Sequence, residues 1–247
     1  MSWLKHHPFG VEAQLTRTTV LTFAAPATEL QQLLPECLTL DTLDNAWGFV
    51  AVALVQTRNL RPQGLPAWLG HDFFLIGYRI FVRYTTVTGK RLRGLYILKS
   101  ETDKRKMQWL GNLFTSYQYG FIDVQQACSG QRLAFESKQA NLVIQVEALP
   151  PEHEVALPTG SPFADWRQAR RFAGPLPFTF SYEPATRQVT IVEGIREAWQ
   201  PQPVRVQQAQ IGFLKQIGIQ QLRLASAFTM TDIPYRWQKG RIEQWHP

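Results

Sequence analysis

The chain has 247 residues, a length ordinary for one β-rich domain, and we expect a single domain over residues 1–247. Hydrophobic residues make up 45% of it and charged residues 18%, which excludes an intrinsically disordered chain. The net charge of +7 permits attraction to nucleic acid, anionic membranes or acidic ligands without selecting among them.

The distribution of charge and of apolar residues narrows the classes of partner. The densest basic group, Lys104-Arg105-Lys106, is shorter than the runs typical of nucleic-acid tails, so we expect no specific nucleic-acid partner. No stretch approaches the roughly 18 apolar residues of a membrane span, and we expect no membrane partner. Cys37 and Cys128 form no CxxC pair, which favours reduced thiols in the cytoplasm.

Strand-like alternation dominates the first half of the chain. The strongest strand signal covers residues 73–87, and within it the stretch 73–82 is apolar on both faces, which predicts a strand covered on both sides. The predicted elements are a strand at 14–23, a short helix opened by Pro26, a hairpin of 38–43 and 47–55 turned at Asp44-Asn45, the strand at 73–87, and a strand at 92–98.

The second half adds strands and two helices. Asp103 is the expected cap of a helix with Met107, Leu110 and Phe114 on one face, and Ser161-Pro162 is expected to start another helix. Further strands are predicted at 121–127, 132–136, 142–148, 178–182, 188–199, 222–230 and 235–238, with a loop at 150–160.

One charge interrupts the apolar stretch 73–82, at Arg79. A guanidinium keeps its proton, so a buried arginine needs a carboxylate, a polar cavity or an anionic ligand. Glu193, flanked by Ile191 and Ile195 on one strand face, is the candidate partner. A structural ion pair or an edge position explains Arg79 about as well, and an exposed sheet face explains Glu193 almost as well.

Signatures of nucleotide binding, metal binding and nucleophilic catalysis are missing from the sequence. It contains no GxGxxG, GxxxxGK[ST] or GxSxG segment. The five histidines form no HExxH or comparable spacing, although His71-Asp72 is a conceivable pair in a loop. We therefore expect no metal and no cofactor.

Three segments carry a resemblance to a known family: Leu33-Leu34-Pro35-Glu36, the strand 76–83 through Arg79, and Gly94-Leu95-Tyr96-Ile97-Leu98 before Asp103 and a helix. Together they resemble the uncharacterised YqjF-like family, which is related to acetoacetate decarboxylase, and the similarity extends over most of the chain. The resemblance implies a cone-like, largely antiparallel β-barrel with a central cavity and a few covering helices. This agrees with the mainly β, α+β pattern of the predicted elements.

The same resemblance points away from decarboxylation. The decarboxylase relatives use a Schiff-base lysine in a Gly-x-Pro-Lys-Lys-like segment shortly after the helix. Here that stretch runs from Gly111 to Tyr119, and no lysine occurs between Lys106 and Lys138.

The leading hypothesis is therefore a barrel that binds a small anionic or carbonyl ligand in its cavity. A lyase or hydrolase using Glu193 or Asp103 as acid or base is the second, and an interaction protein with a basic surface and a solid interior is the third. Neither ligand identity nor oligomeric state follows from the sequence. The candidate ligand-binding residues are Arg79, Tyr78, Tyr96, Tyr117, Tyr119 and Glu193.

Overall fold

The computed structural model describes residues 2–149, 156–174, 176–197 and 199–246. Within them strands dominate and the helices are short, which confirms the mainly β, α+β class. The strands are β1 (Val11–Pro26), β2 (Thr39–Leu40), β3 (Trp47–Pro62), β4 (His71–Thr85), β5 (Arg91–Thr102), β6 (Tyr119–Phe121), β7 (Gln125–Ser129), β8 (Arg132–Ser137), β9 (Leu142–Ala148), β10 (Phe178–Glu183), β11 (Gln188–Arg196), β12 (Gln202–Ile211), β13 (Arg223–Trp237) and β14 (Arg241–Gln244).

The helices cover the ends and edges of the sheet. The longest, α2, follows β5 directly and supplies apolar side chains to the interior. The helices are α1 (Ala27–Gln31), α2 (Arg105–Phe114), α3 (Trp166–Phe172) and α4 (Gly212–Gln216), with 3-10 turns at Ser2–His6 and Ala67–Leu69.

Seven strands close into a ring in the order β1, β3, β4, β5, β10, β11 and β13. Most neighbours are antiparallel, while β10 pairs with β5 in parallel. The ring closes where Gly194, Ile195 and Arg196 of β11 pair with the end of β13. Because successive side chains of a strand point to opposite faces, every second residue of these strands points into the ring.

The outside of the ring is covered by a second sheet, in which β7, β8, β9 and β12 follow one another. Phe74 of β4 stacks on Phe135 of β8 with ring centroids 5.7 Å apart, and Tyr78 packs on Phe213 of α4 at 4.5 Å. These side chains belong to the largest apolar cluster of the described residues. The prediction that β4 is covered on both faces is confirmed.

Aromatic side chains pack at both ends of the ring. Near α3, Phe49 of β3 stacks on Phe163 at 4.9 Å and contacts Phe172. At the opposite end, where β4 begins, Phe9 packs edge-on against Phe114 of α2 at 5.1 Å. The interior is thus enclosed by α3 at one end and bordered by α2 and the N-terminal residues at the other.

Several predicted element details are wrong. The segment 38–43 does not form a hairpin with β3: β2 pairs with β4, and only an isolated bridge joins Leu43 to Trp47. The turn itself is confirmed, since Asp44 and Asn45 have φ of 52° and 55°. The predicted strands 222–230 and 235–238 are one strand, β13. The glutamine-rich β12 was not predicted, because its apolar residues of period two are interrupted by a register shift between Val206 and Gln208.

Both predicted helix starts also differ. Asp103 does not cap α2; its carboxylate accepts a 2.8 Å hydrogen bond from the backbone N–H of Phe74, and Lys104 occupies the cap position. The cap of α3 is Asp165, which accepts a 2.6 Å bond from the N–H of Gln168. Part of the predicted loop at 150–160 lies outside the described residues.

Candidate functional site

The ring encloses a cavity of about 480 Å³. Its walls are mainly aliphatic and aromatic side chains from β1, β3, β4, β13 and α2. Of the described residues that line it, none is Asp, Glu or Lys, and the charged ones are Arg61, Arg79 and Arg196. Arg61 is paired with Glu12 at 2.6 Å. The cavity therefore presents positive charge from Arg79 and Arg196 without an opposing carboxylate in its wall.

Small side chains on adjacent strands make the room beside Arg79. Gly77 of β4 lies between Ala53 of β3 and Ser100 of β5. Two residues before Ala53, Ala51 of β3 lies opposite Arg79. All of these positions are on the inward face of the ring or directly beside it. Because these neighbouring inward positions carry little side-chain volume, they leave space beside the guanidinium.

Arg79 is the strongest electrostatic feature of the site. Within the described part of the chain its guanidinium makes no hydrogen bond or ion pair, and Nε is buried without a partner. Burial lowers the pKa of Arg79, yet a guanidinium remains protonated at neutral pH. An unpaired buried charge costs several kcal/mol, roughly, in folding free energy. A group that pays such a cost in an enclosed cavity is a candidate anion anchor.

Three tyrosines line the cavity close enough to this guanidinium to influence its pKa. Tyr117 and Tyr119 follow α2, Tyr235 comes from β13, and all act electrostatically on Arg79. Burial raises the pKa of Tyr119 to about 12 and raises that of Tyr117 further still. Both hydroxyls therefore stay protonated and can donate hydrogen bonds to an anion beside Arg79.

Arg196 is better satisfied than Arg79. It donates a 2.9 Å hydrogen bond to the carbonyl oxygen of Leu176, and its guanidinium carbon lies 4.6 Å from the Trp199 ring and 5.2 Å from the Tyr235 ring. Carbonyl and π-face contacts stabilise a cation without neutralising it. Arg196 therefore adds to the positive potential, whereas Arg79 offers the free donors.

Unpartnered polar atoms concentrate around the cavity. Among the described residues, five buried side-chain polar atoms lack a hydrogen-bond partner. All but that of Thr22 belong to residues lining the cavity, namely His7, Thr18, Arg79 and Trp199. Because buried polar groups normally have partners, this concentration makes the cavity the candidate functional site.

Glycines clear the space in which the site's side chains lie. A Cβ on Gly77 would be 2.8 Å from Nε of Arg79, one on Gly111 would be 2.4 Å from the Tyr119 ring, and one on Gly194 would be 2.0 Å from the Tyr235 hydroxyl. Ordinary Cβ contacts are longer than 3.0 Å. The positions of these three side chains therefore depend on the missing Cβ atoms.

Of the predicted site residues, Arg79, Tyr117 and Tyr119 come together around the cavity and the others do not. Tyr78 lies on the outer face, where its hydroxyl donates a 2.8 Å bond to the buried carboxylate of Glu101. Tyr96 also packs against the outer core. Glu193 is exposed, makes no ion pair with Arg79 and does not line the cavity. The proposed pairing of Arg79 with Glu193 is not supported.

Arg196, Tyr235, Trp199 and His7 were missed as site residues. Arg196 is the last residue of β11, three positions after Glu193, and nothing in the local pattern sets it apart from an exposed strand end. His7 lies before β1, where the sequence offers no periodic pattern. Its position follows from backbone bonds: its N–H donates to the carbonyl oxygen of Phe114 at 3.1 Å, and its carbonyl oxygen accepts from Gly240 at 2.8 Å.

His7 gives the fold a pH dependence. Burial first, and the neighbouring His6 second, lower the pKa of His7 from 6.5 to about 4. Between these pH values the unfolded chain binds a proton at His7 that the folded chain does not, so stability falls as the pH drops through this window. Because the His7 imidazole borders a cavity that admits water, we expect the free energy of unfolding to fall by an amount on the order of 2 kcal/mol.

This pH effect is measurable by urea unfolding at pH 7 and pH 4.5. The matched variant is His7→Asn, because Asn tolerates the φ of 51° at this position and does not titrate. Its stability is expected to decline less than that of the unaltered chain over the same pH interval. An equal decline would show that His7 titrates normally in the folded state.

The described residues contain no cluster of three or more His, Cys, Asp or Glu side chains suited to a metal ion. Both cysteines are free thiols, Cys37 buried and Cys128 exposed. In the part of the chain that the structure describes, every helix is too short or too polar to cross a bilayer.

Solved structures with this fold include acetoacetate decarboxylases. The enzyme from Legionella pneumophila is 13% identical, with 97% of this chain and 90% of that chain covered at a TM-score of 0.61. An acetoacetate decarboxylase-like enzyme from Sphingomonas wittichii RW1 is 11% identical over 97% and 94% at a TM-score of 0.57. The enduracididine biosynthesis enzyme MppR, complexed with pyruvate, is 11% identical over 95% and 90% at a TM-score of 0.54.

These TM-scores establish a shared fold with the acetoacetate decarboxylase-like proteins, as the resemblance implied. No curated protein matches the chain in sequence. A family model described as "Uncharacterized conserved protein (COG2071)" matches residues 12–234, which is most of the chain and includes every strand of the ring at least in part. The chain therefore belongs to DUF2071, the YqjF-like family that its strand motifs resemble.

Proposed function

We propose that this protein binds a small organic anion inside the ring, with the anionic group against Arg79 and the apolar part along the aliphatic walls. The observation that carries this proposal is a guanidinium without a partner, whose Nε is buried, in a cavity whose described lining has no carboxylate. An anion beside Arg79 would offset the cost of burying that charge.

The donors around Arg79 support the same ligand class. The hydroxyls of Tyr117 and Tyr119 remain protonated, and Nε of Arg79 and Nε1 of Trp199 lack acceptors. A carboxylate, or a carbonyl oxygen beside one, supplies acceptors only and therefore complements such a set. MppR, which shares the fold, has been obtained with pyruvate bound, and this is consistent with a carboxylate ligand.

Binding without turnover is favoured over the lyase or hydrolase hypothesis. Glu193 and Asp103, the carboxylates suggested as acid or base, are not among the cavity-lining residues. A lysine able to form a Schiff base is also missing from the described lining. The surface-interaction hypothesis required a solid interior, whereas the interior holds a cavity of about 480 Å³.

The free cysteines fit the cytoplasm, which we propose as the compartment.

The test is calorimetric titration with pairs of ligands that differ only in charge. Hexanoate is compared with hexanamide, and pyruvate with pyruvamide. The carboxylates are expected to bind about tenfold or more tightly than the amides, because a charged acceptor pairs with Arg79 more strongly than a neutral carbonyl oxygen does. Equal affinity within each pair, or no binding by any of the four, would contradict the proposed function.

A further inference from the structure

An uncharged loop projects from the protein between β3 and β4. All seven residues from Gln63 to Leu69 are exposed, and none of them is charged. We call residues 63–70 the Trp68 loop. Trp68 is 81% exposed, Leu65 43% and Leu69 39%. Large apolar side chains exposed side by side in one short segment indicate a binding surface, because such a patch is costly in water.

The Trp68 loop lies at the mouth of the cavity. Of the described lining residues, Phe9 and Leu69 are the exposed ones, so the cavity opens beside this loop. The loop is also held in place. The N–H of Gln63 donates to the carbonyl oxygen of Gly10 at 3.0 Å, and Nε of Arg61 donates to that of Leu65 at 2.8 Å. The exposed apolar side chains therefore belong to a segment that hydrogen bonds hold beside the mouth of the cavity.

The charges flanking the mouth are predominantly positive. Lys106 at the start of α2 is close enough to His71 to lower its pKa, after the larger effect of burial. Glu12 and Asp103 each pair with a neighbouring cation. The flanking charges lie at the start of β1, the end of β3, the start of β4 and the start of α2. The cations there are Arg58, Arg61, Lys104, Arg105 and Lys106, and the carboxylates are Glu12, Asp72 and Asp103.

We propose that the Trp68 loop inserts into the headgroup region of an anionic lipid bilayer and brings the cavity mouth to the membrane surface. Tryptophan and leucine favour that region, and flanking cations attract anionic headgroups. The inference rests on the proposed function, since an organic acid with an apolar body partitions into membranes and would enter directly from one. The sequence-based expectation of no membrane partner concerned spanning segments, which a surface loop does not require.

The test measures sedimentation of the protein with vesicles of phosphatidylcholine mixed with phosphatidylglycerol, and with vesicles of phosphatidylcholine alone. The mixed vesicles are expected to bind the protein more strongly. Trp68→Ala is expected to weaken that binding about tenfold or more. The matched control is Val87→Ala, because Val87 is 65% exposed in the turn after β4, at the opposite end of that strand from the mouth. This control is expected to bind like the unaltered chain.

Three outcomes would overturn this inference: no binding to either vesicle, equal losses for Trp68→Ala and Val87→Ala, or binding that salt abolishes and Trp68→Ala leaves unchanged. The last would be general attraction of a chain with a charge of +7. Failure here is separable from failure of the proposed function, because hexanoate titration needs no vesicle. Vesicle binding through Trp68 without carboxylate binding would overturn the proposed function alone.

Discussion

Replacement of Arg79 by glutamine is expected to weaken binding of a carboxylate such as hexanoate about a hundredfold, which corresponds to about 3 kcal/mol. Glutamine keeps hydrogen-bond donors and much of the side-chain volume but removes the charge, so the loss reports the charge. The affinity for hexanamide should fall far less, because its neutral carbonyl oxygen gains little from the charge of the guanidinium. Calorimetric titration of both ligands against both proteins measures the difference.

The same variant is expected to be more stable without ligand. Arg79 makes no hydrogen bond or ion pair in the described chain, so glutamine relieves an unpaired charge at a gain of about 1 kcal/mol or more in unfolding free energy. Affinity and stability would then change in opposite directions, as expected of a residue held for binding. A variant that is less stable and still binds hexanoate normally would identify Arg79 as a structural residue.

Tyr78→Phe is the matched control, because Tyr78 precedes Arg79 on the same strand and lies on its outer face. Its hydroxyl bonds to Glu101 at 2.8 Å, and Lys99 bonds to the same buried carboxylate at 2.5 Å. Losing the hydroxyl bond is expected to cost about 1 to 3 kcal/mol of stability. Hexanoate affinity should stay unchanged, which is the reverse of the pattern expected for Arg79→Gln.

The contrast between Tyr78 and Arg79 illustrates what sequence can and cannot predict. A single charge in the stretch 73–82, which is apolar on both faces, identified Arg79 as an unusual position, and the structure places it in the cavity. Period two also puts Tyr78 on the opposite face, so naming both as cavity walls was inconsistent with the strand geometry. The alternation of side chains between the two faces of one strand can be read from the sequence alone.

The remaining site residues depend on long-range pairing. Arg196 and Tyr235 lie opposite each other only because β11 and β13 close the ring, and this pairing joins segments with no shared local pattern. His7 reaches the cavity through backbone bonds to Phe114 and Gly240. Strand periodicity identifies which residues share a face, but not which distant strand completes the wall. Glu193 was wrongly expected to be the partner of Arg79 for this reason. The sequence shows which residues share its strand face, but not what that face contacts.

Gly77→Ala is expected to lower hexanoate affinity about tenfold while changing stability by less than about 1 kcal/mol. The added Cβ would lie 2.8 Å from Nε of Arg79 and 3.0 Å from one of its terminal nitrogens. These atoms end a flexible side chain next to an open cavity, so the guanidinium can move at little cost to the fold. It then no longer occupies the position between the tyrosines where a carboxylate is held.

Gly120→Ala is the control for this prediction, since a Cβ there would meet its nearest neighbours at 3.9 Å, an ordinary contact. Gly120 pairs with Glu101 at the edge of β5, close to the site in sequence but outside the cavity lining. Calorimetry and urea unfolding on both variants separate displacement of Arg79 from general damage. Equal affinity for Gly77→Ala and Gly120→Ala would mean that the carboxylate does not depend on where the guanidinium lies, and the anion would then have to be held by Arg196.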